Sequence, residues 1–187
     1  MGRVLISIIL VITILLWAGC GKSDDSRARL ENNNISSEEG SKMSSTIAIE
    51  EEKAKIKQVV EGSIGWALTK DKDYLFSLMW QDSNLFFFNP DNAGNINGFE
   101  AFRQLTENVF MNDAFKAIRF EVKDLRIQIS QGGDVAWWAG VLYDYGEWNG
   151  KPANWEGVRW TGVTEKRDGK WVIMQMHFSY PTEAMKK

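Results

Sequence analysis

The feature that most restricts the fold is a change of hydrophobic period part-way along the chain. From Ile47 to Leu68, and again through Phe99, Phe102, Leu105 and Val109, apolar residues recur at helical spacing, and from Ile118 onward they alternate one in two. Ile118, Phe120 and Val122 alternate with charged residues. Leu125, Ile127 and Ile129 then continue on the opposite parity, so a β-bulge is expected at Lys123-Asp124, and bulges bend sheets. Three more strands are read at Val135 to Trp148, Asn154 to Lys166 and Trp171 to Tyr180. Helices first and strands last indicate an α+β domain, not an alternating parallel sheet.

The helical part contains three segments. In the first, Ile49, Ile56, Val60 and Ala67 share a face with Val59 and Trp66 beside it, and Glu50, Glu51 and Glu52 suit the positive end of the helix dipole. Thr69 or Asp71 caps a second, shorter helix. Leu85 to Phe88 reads as a short strand ending at Asn89-Pro90. Asn97-Gly98-Phe99-Glu100 has the form of a capping box ahead of a third helix through Phe102, Leu105 and Val109.

Residues 1–19 are read as a signal peptide: the apolar run Val4 to Trp17 is short for a membrane span and follows a single basic residue. It ends in Leu16-Trp17-Ala18-Gly19-Cys20, which resembles a bacterial lipobox. The expectation is an exported protein held to the extracytoplasmic side of the cell membrane only through lipid on Cys20. Residues 20–45 have almost no large apolar side chains and read as a disordered tether. The folded domain is assigned to residues 46–187.

Composition removes several functions. Cys20 is the only cysteine and His177 the only histidine, so neither an intramolecular disulfide nor a Cys or His cluster for metal can form. With 22 Lys+Arg against 25 Asp+Glu, nothing favours nucleic acid. No cofactor or metal is expected.

The order helix, helix, short strand, helix and long bent sheet is similar to the nuclear transport factor 2-like superfamily over roughly residues 46–181. The most specific part is Arg159-Trp160-Thr161 with Trp171 to Ser179 across an Asp168-Gly169 turn, which looks like the Arg-x-Thr and Trp-x-Ile-x-x-x-His-x-Ser signature of SnoaL-like and kinase-association domains. Gly94 to Phe102 resembles the loop and helix that precede it there. The resemblance implies a cone, with three N-terminal helices packed on the concave face of a curved, mostly antiparallel sheet. It also implies a pocket and often a dimer. The family includes ketosteroid isomerase-like enzymes, cyclases, dehydratases, ligand-binding domains and oligomerising modules, so it implies much less about reaction.

Candidate pocket residues come from the parity of the last strand. His177 shares it with Trp171, Ile173, Gln175 and Ser179. A three-residue loop at Arg167 to Gly169 places Thr161 opposite Gln175 and Arg159 opposite His177, a pair suited to an anion; a two-residue turn instead places Trp160 beside His177. The aromatic residues Tyr74, Trp80, Trp137 and Tyr143 complete the expected pocket, and the eight tryptophans after Cys20 with Phe86, Phe88 and Phe102 are further candidates for an apolar lining or for plain core. Asp82, Asp144 and Glu156 are possible general bases, and their spacing singles out none. The strand Val135 to Tyr145 is apolar on both parities, so the face opposite the helices calls for a partner, and a homodimer is expected, with Trp138 as its test position.

Three functions fit. One is a binding or assembly module for a small apolar or anionic molecule. A second is an isomerase, dehydratase or cyclase with a pocket carboxylate as base. A third is a structural dimer whose cone is filled by its own side chains. A raised-pKa carboxylate in an open cavity is the feature that points to the second.

Overall fold

The computed structural model describes the backbone of residues 25–91 and 94–182, with side chains from residue 45 onward. The signal segment and Cys20 lie outside the described residues. The chain divides into two units, Met1–Met43 and Ser44–Lys187. In the first, residues 25–43 are helical, where the sequence predicts a disordered tether. Arg27, Ala28, Arg29, Leu30 and Glu31 are good helix formers, which gives the segment a local reason to be helical without an apolar stripe.

The second unit carries the sheet. Helix α1 (Asp25–Gly65) enters it and buries Ile56, Val60 and Ser63. Ile47 and Ile49 remain exposed, so the core-facing stripe begins at Ile56, about two turns later than the spacing predicts. A 3₁₀ turn (Trp66–Leu68) buries Trp66 and leads to α2 (Lys72–Ser77), where the Asp71 carboxylate accepts from the Tyr74 amide at 2.9 Å as N-cap. Strands β1 (Phe86–Phe88) and β2 (Ile96–Asn97) form a short antiparallel pair before α3 (Phe99–Leu105), which continues into a π-helical turn (Thr106–Phe110). The capping box does not form. Gly98 is the N-cap at φ 86°, a left-handed position in which glycine carries no Cβ penalty, and Glu100 pairs with Arg103 and Gln104 instead.

Strands β3 (Phe115–Ile129), β4 (Val135–Trp148), β6 (Trp155–Arg167) and β7 (Lys170–Ser179) make the long sheet, with the short β5 (Lys151–Pro152) folded back on the end of β4. The order is β2-β1-β7-β6-β4-β3, antiparallel apart from the β1–β7 pairing. Register shifts curl it. One lies between Lys123 and Arg126, with Asp124 at φ 52°, where the parity change predicts a bulge. Another lies on β6 at Glu156-Gly157. A third inserts Met174 into β7, because Thr164 pairs with Ile173 while Val163 pairs with Gln175.

The inner face of the curl holds the core. Trp138 lies across Gly162, whose missing Cβ leaves room for the indole, and packs at 5.8 Å against Trp160, which stacks on Phe178. The fold is therefore α+β with three helices against a curled sheet. Glu52 ties α1 to the last hairpin: its carboxylate accepts from Lys166 Nζ at 2.6 Å, from Lys55 Nζ at 2.6 Å and from Trp171 Nε1 at 2.7 Å. The Lys166 bond, then those of Lys55 and Trp171, hold this carboxyl down at about 2. Because the folded pKa is depressed, the tie contributes fully above the ordinary glutamate range and fades as pH falls towards 2.

Candidate functional site

Beneath the helices the inner face encloses a cavity of about 310 Å³. Ser63 and Ile64 of α1 contribute to its wall, with Trp66 and Ala67 of the 3₁₀ turn and Leu75 of α2. Phe102 and Leu105 of α3 are joined by Val109 and Phe110 of the π turn. The sheet adds Phe87, Ile96, Phe115, Asp144, Trp148, Trp155, Met176 and Phe178, and Asn89 and Ala153 complete the lining.

Asp144 is the only ionisable side chain on that lining. It sits in β4 between Phe120 of β3 and Trp155 of β6. Its carboxylate makes no hydrogen bond or ion pair among the described residues, and burial alone raises its pKa to about 6. Ser63 Oγ donates to the Val60 carbonyl at 2.7 Å and the Asn89 amide donates to the Gly94 carbonyl, while the indoles of Trp66, Trp148 and Trp155 bring three further N–H groups to the lining. Among the described residues no three His, Cys, Asp or Glu side chains converge on a metal position.

None of the nine pocket residues Arg159, Thr161, His177, Ser179, Gln175, Tyr74, Trp80, Trp137 and Tyr143 lines this cavity, whereas Phe102, a further candidate, does. Seven instead occupy the outer face of the sheet. One cross-strand row there is Gln128, Trp137, Val163, Gln175 and Phe86; the next is Arg126, Ala139, Thr161, His177 and Phe88. Lys123, Val141, Arg159 and Ser179 form the third, and Tyr143 comes after it, with Lys123 Nζ 4.7 Å from its ring centre. Of the remaining two, Tyr74 is exposed on α2 and Trp80 lies under the Arg167 guanidinium at 4.9 Å.

The physical reason for the displacement is the extra residue Met174. Trp171 and Ile173 face inward as their parity predicts, but past the bulge Met176 and Phe178 take the inner side and His177 is turned out. The hairpin turn has two residues, Asp168 at φ 49° and Gly169 at φ 76°. Turn and bulge together set Thr161 opposite His177 and Arg159 opposite Ser179, which matches neither register read from the sequence. Trp138 is likewise buried in the core and Trp137 is outside, the reverse of the expected assignment. Of the three candidate bases, Asp82 accepts from the Asn84 amide and Glu156 is exposed beside Asn154; Asp144 alone reaches the cavity.

Three helices on the concave side of a curled, mostly antiparallel sheet, with a cavity between, define the nuclear transport factor 2-like class. Within it the chain belongs to the SnoaL-like domain family, whose profile matches residues 56–183. No curated protein sequence matches the chain. Among solved structures it is similar to the association domain of C. elegans CaMKII, at a TM-score of 0.54 and 22% identity over 70% of this chain and 97% of that one. It is also similar to an NTF2-like protein of unknown function from Shewanella oneidensis MR-1, at 0.52 and 19% over 68% and 98%. A third, an NTF2-like protein from Cytophaga hutchinsonii, matches at 0.54 and 16% over 67% and 95%. At these identities the likeness is one of fold.

Proposed function

We propose that the domain binds a small, mainly apolar molecule in the cone cavity. The carrying observation is the cavity itself: an open, aromatic-rich space whose single charge is Asp144. Arg159 and His177 stand outside it, which removes the reason to expect an anion there. Native mass spectrometry of the purified full chain tests the reading: a retained small molecule, lost when Leu105→Trp fills the space, supports it. A cavity that takes up no small molecule under any loading would sink it.

A second reading keeps the cavity and adds turnover. A half-buried carboxyl with a pKa of about 6 has the property needed to take a proton from carbon near neutral pH. Catalysis also needs donors for the developing enolate oxygen, for which the second Asn89 amide N–H and the indole N–H groups of Trp66, Trp148 and Trp155 are the candidates on the lining. Binding needs only the cavity and is the reading preferred.

Two further parts of the proposal concern placement. The outer sheet face exposes Trp137 by 49% and Phe88 by 46%, with Val163 and Gln175 in the row of the first and Ala139, Thr161 and His177 in the row of the second. A second copy of the chain is the occupant that supplies the same aromatic and polar rows in return, and assembly is what the name of the CaMKII relative describes. Trp137→Glu should halve the mass seen by light scattering; a wild type that stays monomeric at high concentration refutes the dimer. Export and lipidation on Cys20 tether the protein to the membrane surface. Cys20→Ser should abolish acylation in metabolic labelling, and unchanged labelling would rule the anchor out.

A further inference from the structure

Asp144 presents an unusual balance of charge. Asp144 is half-buried, and a carboxylate even partly withdrawn from water without a partner is unfavourable, so such groups are normally paired or hydrogen-bonded. Here no Lys, Arg or His lines the cavity, and Asp144 has neither an ion pair nor a hydrogen bond among the described residues. The nearby cations are committed elsewhere: the Arg119 guanidinium lies 3.6 Å over Tyr145, and Lys123 lies over Tyr143. The missing counter-charge is therefore not supplied by the described residues.

The rest of the wall has a matching character. Trp66, Phe110, Phe115, Trp148, Trp155 and Phe178 all line the space. Phe110 meets Trp66 at 6.3 Å and Phe115 at 5.3 Å, both edge to face, and Trp155 is tilted on Phe178 at 5.2 Å. Aromatic faces attract cations, most strongly where water is excluded, and weakly hydrated ammonium ions bearing hydrocarbon groups benefit most.

Resting on the reading that the cavity binds a small molecule, we propose that its ligand is a hydrophobic cation. An alkyl- or arylammonium ion sits with its charge against Asp144 and its hydrocarbon against the aromatic wall. An anionic ligand would face a like charge, and an uncharged one would leave the carboxylate unpaired. The cavity volume of about 310 Å³ suits a molecule of one ring and a few alkyl carbons.

Three probes of one size separate the cases: benzyltrimethylammonium, its uncharged isostere neopentylbenzene, and 3-phenylpropionate. Binding to the full chain is tracked by calorimetry and by tryptophan fluorescence, since Trp66, Trp148 and Trp155 line the site. The expected result is at least tenfold tighter binding of the ammonium ion than of neopentylbenzene, with the preference removed in Asp144→Asn. Equal binding of the two, or tighter binding of 3-phenylpropionate, overturns the cation while leaving a cavity that binds. No binding of any probe overturns both. Should Asp144→Asn fail to fold, the wild type alone decides. The probe keeps its charge at every pH, so its affinity should fall several-fold from pH 8 to pH 5 as Asp144 is protonated, and neopentylbenzene should not change with it. Arg119 and Glu121 on β3 and Glu156 on β6 are the charged groups nearest Asp144 in register; none lines the cavity. A flat profile for the cation overturns the inference.

Discussion

The two faces of one sheet carry opposite kinds of information. On the inner face Trp138, Trp160, Phe178 and Met176 are packed without freedom, and a single carboxylate stands among them. On the outer face Arg159, Thr161, Gln175, His177 and Ser179 form a continuous polar strip beside Trp137 and Phe88, so nearly all side chains with obvious chemistry lie outside. Polar residues gathered in one place need not be a site. The inner face is distinguished by how little polarity it admits.

The largest test of that contrast is at Gly162. A Cβ there would collide with the Trp138 indole and would stand 2.5 Å from the Gln175 carbonyl oxygen, which belongs to backbone and cannot turn aside. Gly162→Val should cost about 3 kcal/mol or more, or prevent folding. Denaturant unfolding measures it, and a loss under about 1 kcal/mol would show that the inner face is loosely packed.

A smaller effect of opposite sign is expected at Asp144. Its folded pKa of about 6 lies above the ordinary 3.8, so the fold favours the neutral carboxyl. The penalty for ionising it is absent below about pH 4, grows between about pH 4 and 6 and is constant above. Asp144→Asn should therefore stabilise the protein by about 2 kcal/mol at pH 7.5 and by almost nothing at pH 4. Thermal unfolding at the two pH values checks this, and a pH-independent difference would mean the carboxylate is solvated.

The smallest effect belongs to the outer face. Arg159→Met, which keeps most of the apolar stem, should change stability by less than about 0.5 kcal/mol and leave binding of benzyltrimethylammonium within twofold. A larger change in affinity would erase the distinction between the faces.

The sequence made the architecture legible because periodicity survives local error. The strand limits of β4, the bulge after Lys123 and the cap at Asp71 come from alternation, parity change and a carboxylate before a helix. The site was not legible for a related reason. Alternation assigns residues to two faces without saying which is inner, and Val135 to Tyr145 is apolar on both. The sign had to come from tertiary packing, such as the room that Gly162 leaves for Trp138. Asp144 stands on the parity of Trp138 and Leu142, but Glu156 shares the parity of the buried Val158 and Trp160, so the bulge at Glu156-Gly157 is what separates the two carboxylates.

Met174 gives the molecule a hereditary tolerance of a particular kind. It is the one residue of β7 between Ile173 and Gln175 with no place opposite β6, so loss of its codon would close the bulge and leave Gln175 opposite Val163, Met176 opposite Gly162 and Phe178 opposite Trp160. The wall would keep its side chains and His177 would stay outside. The bulge is thus a spare residue held in reserve, which a lineage of such cones can shed without changing the chemistry that faces the ligand.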